Sequence, residues 1–424
     1  MNSRVISKTL ENGLKVVYIP HSVNSVTCCL RGLAGSNHET KNEIGAAHLI
    51  EHLVTYASKG YPSKNELRGI VLDRGGRIIG VTSRDDVAFL TKTLKKDYQF
   101  GLKYLKEIFS EPLLQNQNLE TLKKIIYQEI HQNIENPQWH IGRIGYKILY
   151  PNQRFSHFNT GNLEDIEKLK YENVIQFYSR QYKPNNFVLS VCGNINTEEL
   201  FSYIQNNFGL LVAGAPANTP IHEQNTQLSV LVENRADLSQ THIKIDYYGY
   251  KTDDNKKYAA NFLAKIFNNR LQKTVQDNVT EHGVAAYVVD TASFSSNTFG
   301  IFGTYTAINQ NHLVEFFKLY KNTIRDLCEV EISDKELETT KNRVLADFEF
   351  SLEKTSQRAD MYSELILYKN VTNNLDAEVS NYANINKQEI TKTARMLFEQ
   401  KPKITILDSK LTKKEIILAW EKAI

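Results

Sequence analysis

The five residues His48-Leu49-Ile50-Glu51-His52 put the tightest constraint on how this chain can fold. Positions i and i+4 lie on one face of an α-helix, so a helix here aims both imidazoles at one ion. Glu51, three residues after His48, shares roughly that face and is placed to hold a water beside the ion. The flanking sequence agrees with a helix. After Gly45, no Gly or Pro occurs up to Tyr56, and Ala46, Leu49, Ile50, Leu53 and Val54 fall at helical spacing.

An ion held by two imidazoles needs a further protein ligand. Leu122, Ile125 and Ile126 make an apolar stripe, and Glu129 lies on it at i+7, i+4 and i+3. A carboxylate on an apolar face requires a partner, and a divalent cation is one. Two neutral imidazoles and one carboxylate leave a fourth position open, the arrangement of catalytic rather than structural zinc sites. His131, His140 and His157 are near in sequence and read as surface residues or neighbours of the site, because the ligand set is already complete.

These residues resemble the pitrilysin/insulinase family of zinc peptidases, in the two-domain form of mitochondrial processing peptidase subunits and small bacterial relatives. In that family H-x-x-E-H is followed, after 76 residues, by a ligand Glu; here 76 residues separate His52 from Glu129. Ala34-Gly35-Ser36, Glu39 and Gly45-Ala46-Ala47 resemble the lead into its motif helix, and Ile125 to Ile130 its third-ligand segment. Asn12-Gly13-Leu14-Lys15-Val16-Val17 resembles its opening strand, and Tyr182-Lys183-Pro184-Asn185-Asn186 with Cys192-Gly193 the closing strand of its first domain. The resemblance implies one Zn2+ per chain on His48, His52 and Glu129, and Glu51 as general base for a metal-activated water. It implies an endopeptidase for peptides or unfolded segments, working in a clamshell homodimer or heterodimer with a related chain. It also implies an α+β fold of two pseudo-repeated α/β sandwich domains, each a mainly antiparallel sheet with helices on one face.

The resemblance further implies a substrate-lining strand and a substrate clamp, and here the chain departs from the pattern. The family's Asn-Ala-x-Thr strand corresponds to Ile79-Gly80-Val81-Thr82, so Gly80, Val81 and Thr82 are the expected substrate-binding backbone, without the Asn. A second Glu seven residues before the ligand Glu is replaced by Leu122. The clamp is an Arg and a Tyr in the second half; Tyr287 matches the Tyr, whereas Gln276 stands at the Arg position and Arg270 is the nearest substitute. A complete metal half with an incomplete clamp favours dependence on a partner chain. The alternative reading is a non-catalytic structural or peptide-binding subunit of the same fold.

A length of 424 residues suggests two or three domains. Strand-like runs at 14–19 and 26–33 precede helical patterns at 45–58, 63–74, 98–110 and 117–135, a strand at 187–192 and a helix at 197–208. The Pro/Gly stretch 209–221 reads as a linker. Strands at 227–233 and 242–249, helices at 254–268, 310–328 and 333–353, and a strand at 404–407 then recur in similar order. The expected division is therefore 1–208, a linker, and 222–424. A formal charge of +3 without a basic run argues against a nucleic-acid partner. No run of about 18 apolar residues occurs, so no membrane span is expected. The four cysteines lack C-x-x-C spacing and the N-terminus lacks an apolar signal core, which points to a cytoplasmic location. G-x-S-x-G, P-loop and G-x-G-x-x-G patterns, which would offer rival chemistry, are absent.

Overall fold

Two β-sheets organise this computed structural model, which describes residues 5–151, 156–218, 222–282, 286–369 and 375–423. The first is built from β1 (Ile6–Thr9), β2 (Lys15–Pro20), β3 (Ser25–Gly32), β4 (Arg77–Thr82), β5 (Val87–Leu94) and β6 (Phe187–Gly193), in the order β1-β2-β6-β3-β5-β4. Its β2–β6 pair is parallel and the rest are antiparallel. The second is built from β7 (Ser229–Asn234), β8 (Thr241–Tyr248), β9 (Ala286–Ser295), β10 (Gly300–Ile308) and β11 (Lys403–Asp408), in the order β7-β11-β8-β10-β9. Here β7–β11 is parallel and the rest are antiparallel. With β1 set aside, the two orders are the same, and the parallel pair falls at the same place in each. This is the internal repetition that the sequence carries only weakly.

The helices repeat as well. The first half holds α1 (Ala46–Val54), α2 (Lys64–Leu72), α3 (Tyr98–Ser110), α4 (Leu119–Glu135), α5 (Pro137–Leu149), α6 (Leu163–Lys168), α7 (Tyr171–Gln181) and α8 (Thr197–Phe208). The second holds α9 (Lys256–His282), α10 (Leu313–Glu329), α11 (Asp334–Leu352), α12 (Thr355–Lys369), α13 (Leu375–Ala383), α14 (Lys387–Phe398) and α15 (Lys413–Lys422). The helix at α9 runs well past the expected 254–268. The motif helix α1 is shorter than the expected 45–58, because the Thr55 hydroxyl turns back to donate to the carbonyls of Glu51 and His52 at 3.1 and 3.0 Å.

A single cut at 209–221 does not describe how these elements group. One compact unit takes Met1–Ile130, His157–Pro220 and Phe348–Leu375; the other takes His131–Ser156, Ile221–Asp347 and Asp376–Ile424. The cause is burial of the sheets. β3 and β6 are buried along nearly their whole length, so side chains on both of their faces need cover. In the first unit α3 covers β3 and β5, while α12, from the second half of the sequence, covers β2, β3 and β6. Ala359, Tyr362, Leu365 and Ile366 of α12 meet Val17, Ile19, Cys29, Leu90 and Val188. In the second unit α5, from the first half, lies on β8 and β11, and the main core forms with α9, α10 and α14. Helices therefore lie on both faces of each sheet, not on one as expected.

Candidate metal centre

The helix α1 starts at a sharp corner. Gly45 has φ +89°, and a Cβ there would meet the Ile166 Cδ1 at 2.4 Å, so only glycine suits the position. The cap comes from Glu39, whose carboxylate accepts from the Gly45 and Ala47 amides at 3.1 and 2.9 Å. A carboxylate at a helix N-terminus faces the positive end of the helix dipole. Burial pushes the Glu39 pKa well above the usual carboxylate range, against the pull of those two amides. Ala46, Ala47, Leu49, Ile50, Leu53 and Val54 face the core. That burial turns His48, Glu51 and His52 to the opposite face, where their side chains are 15, 13 and 23% exposed.

The partner helix is α4. Leu122, Ile126 and Ile130 are buried, and Leu122 is a core residue at 1% exposure, which accounts for an apolar side chain where the family pattern has a Glu. The same helix brings Glu129 to the histidines. His48 Nε2 lies 2.9 Å from Glu129 Oε2, His52 Nε2 lies 3.5 Å from Glu129 Oε1, and the two Nε2 atoms are 3.3 Å apart. A tetrahedral zinc with ligands at about 2.0–2.1 Å sets its ligand atoms about 3.3 Å apart. The three observed separations bracket that value, so these side chains fit the ion with little movement. Among the described residues this is the one cluster of three or more His, Cys, Asp or Glu that could hold a metal.

The cluster and Glu51 form a hydrogen-bonded network of titratable groups. Burial by itself lowers the His48 pKa, but Glu129 and Glu51 outweigh it and push the imidazole up to about 9. Glu129 is held well below the usual carboxylate range, first by its hydrogen bond from His48 and then by that from His52. Burial would raise the Glu51 pKa, yet His48 and the Thr82 hydroxyl bring it below the ordinary value. Such a set of opposed shifts in one place marks a candidate functional site.

The strand β4 passes directly beside Glu51. It ends its sheet, pairing on one side with β5. Ile79 and Val81 are 49 and 50% exposed, and Gly80 is exposed. Thr82 instead turns inward, where its Oγ1 donates to Glu51 Oε2 at 2.6 Å and its carbonyl accepts from Asn159 Nδ2 at 3.0 Å. Neither Glu39 as the cap nor Thr82 as a partner of Glu51 was assigned from the sequence. Local spacing carries no sign of contacts made across 31 residues.

The expected clamp residues lie in the second unit. Gln276 is exposed on α9. Arg270 is committed to a two-point pair with Glu336, at 2.9 and 2.6 Å. Tyr287 lies in β9, and its side chain is outside the described residues. Of the remaining histidines, His140 pairs with Glu233 at 2.6 Å in the second unit, His131 is exposed, and His157 faces Asp165 at 3.8 Å.

Comparison with known proteins gives matches along most of the chain. Residues 15–155 match the family described as insulinase (peptidase family M16), and residues 168–344 match the peptidase M16 inactive domain. An uncharacterized zinc protease of Bacillus subtilis (strain 168), YmxG, is 23% identical over 395 residues, covering 92% of this chain and 95% of its own length. The mitochondrial-processing peptidase subunit beta of Mus musculus is 23% identical over 345 residues, covering 78% and 70%. The crystal structure of a protease from Helicobacter pylori superposes with a TM-score of 0.87 at 20% identity, covering 95% of this chain and 99% of that one.

Proposed function

The chain belongs to the insulinase (M16) family of peptidases, and within that family we propose that it is a zinc-dependent endopeptidase. The observation that carries the reading is the convergence of His48, His52 and Glu129, with ligand atoms within 4.8 Å of one another, next to the carboxylate of Glu51. His48, His52 and Glu129 would hold one zinc ion. Bound there, zinc supplies a Lewis acid that acidifies water and balances charge on a peptide carbonyl oxygen.

The chain's own residues supply the rest. Glu51 lies beside the cluster, its carboxylate 3.6 Å from His48 Nδ1, and is the base in this reading. It takes a proton from the attacking water as the C–O bond forms, then delivers it to the amide nitrogen as the C–N bond breaks. The products are a carboxylate and an amine, and no nucleophilic Ser or Cys takes part. The peptide lies extended along the free edge of β4, where the main chain of Gly80, Val81 and Thr82 can pair with it whatever its side chains. Tyr287, at the family's clamp position in the sequence, is a further substrate-binding residue in this reading. The four cysteines are free thiols, in keeping with a reducing cytoplasmic compartment.

A partner chain completes the enzyme in this reading. Arg270 is tied to Glu336, and Gln276 carries no charge, so the clamp lacks a free guanidinium at either position. The relative named as subunit beta supports a heterodimer, and a homodimer with weaker substrate hold is the other form. The test of the chemistry is Glu51→Gln, which keeps size and hydrogen bonding but removes the base. It should retain zinc and lose at least about two orders of magnitude in turnover of a mixed peptide library. Wild-type turnover by that variant overturns the assignment.

A further inference from the structure

A general base acts only from within hydrogen-bond reach of the proton it takes. A Glu side chain turns about several bonds, so something must aim it. In this chain two residues of β4 enclose the Glu51 carboxylate. Thr82 is 8% exposed, and its Oγ1 donates to Oε2 at 2.6 Å. On Gly80 an added Cβ would stand 2.4 Å from Glu51 Oε1, 3.1 Å from its Cδ and 3.3 Å from its Cγ. The carboxylate therefore packs closely against Gly80, on the same face of β4 as Thr82. Thr82 is itself anchored, through the Asn159 bond to its carbonyl and through its place opposite Val87 in the β4–β5 ladder.

We propose that Thr82 is the positioning residue for Glu51. This rests on the reading of Glu51 as the base. It gives β4 two separate roles: its edge takes the peptide backbone, and its inward atoms set the orientation of the base.

The two roles separate kinetically. Thr82→Val keeps the shape and the backbone but removes the hydroxyl donor; Thr82→Ser restores the donor. In the zinc-loaded full chain, Thr82→Val should lower kcat by about tenfold to a hundredfold, the range of a hydrogen bond to a charged group. KM and zinc content should stay within about threefold of wild type, and Thr82→Ser should recover most of the rate. An unchanged kcat in Thr82→Val, or a raised KM with kcat intact, overturns the proposal and leaves β4 with its edge role alone. A structural readout stands apart from activity. Crystal structures of the metal-stripped proteins should place the Glu51 carboxylate within about 3 Å of Thr82 Oγ1 in wild type and turned away in Thr82→Val. An unmoved carboxylate sinks the positioning role by itself, whereas wild-type cleavage by Glu51→Gln sinks the base reading on which it rests.

Discussion

Removing the metal should expose an unusual histidine. In the metal-free protein His48 faces two carboxylates, Glu129 at 2.9 Å from Nε2 and Glu51 at 3.6 Å from Nδ1. Burial opposes its protonation, but the two carboxylates prevail and the pKa rises from 6.5 to about 9. That shift amounts to about 3 kcal/mol in favour of the imidazolium. Two consequences follow in sign. For a histidine whose folded pKa is raised, the stabilisation is present in full below 6.5 and is lost as pH climbs through about 9. The metal-free protein should thus melt at progressively lower temperature between those values. Zinc must also displace this proton, so its affinity should be weaker at pH 7 by about a hundredfold than above pH 9, rising roughly tenfold per pH unit in between. The assay is an NMR titration of the imidazoles in metal-stripped wild type and Glu129→Gln. His48 should titrate near 9 in the former and shift down toward 6.5 in the latter. A wild-type His48 that titrates at or below 6.5, or one indifferent to Glu129→Gln, refutes the electrostatic account of the site.

Three further outcomes are expected. Glu39→Ala leaves the Gly45 and Ala47 amides without their buried acceptor, so the unfolding free energy should fall by about 1–3 kcal/mol in denaturant melts; unchanged stability would show that water replaces the cap. Adding a related chain that carries the clamp Arg should raise peptide cleavage about ten- to a hundredfold at fixed zinc-chain concentration, with light scattering reporting the complex. Full activity from this chain alone, unchanged by any partner, would mean the clamp is complete without it. A stably folded domain has no free strand to offer β4 and should resist cutting, whereas its unfolded form should be cut; efficient internal cleavage of the folded form would contradict edge pairing.

How much of this was legible in the sequence depended on whether a feature is local. The helices α1 and α4 could be read because apolar residues recur there at helical spacing, and because His48, Glu51, His52 and Glu129 stand out against them. The strand β4 was legible only through likeness to a family motif. Its burial runs exposed along most of its length, so it lacks the alternation that marks a half-buried strand. The helices α5 and α12 were not assigned from the sequence, and a helical pattern does not say which sheet a helix covers. Each covers a sheet whose other strands come mainly from the opposite half of the chain, a choice made by the two-sided burial of strands such as β3 and β6. The Thr82–Glu51 and Arg270–Glu336 contacts are tertiary in the same sense. The first brings the Thr82 hydroxyl to Glu51, beside the backbone role expected of that residue, and the second pairs Arg270 with Glu336.

The central claim is that His48, His52 and Glu129 together hold a zinc ion. Its most direct test is the zinc content of purified full-length wild type and His52→Ala, measured by mass spectrometry on protein whose fold is verified by circular dichroism. The account predicts about one zinc per chain in wild type and little in His52→Ala. Full zinc occupancy in a correctly folded His52→Ala protein would contradict it.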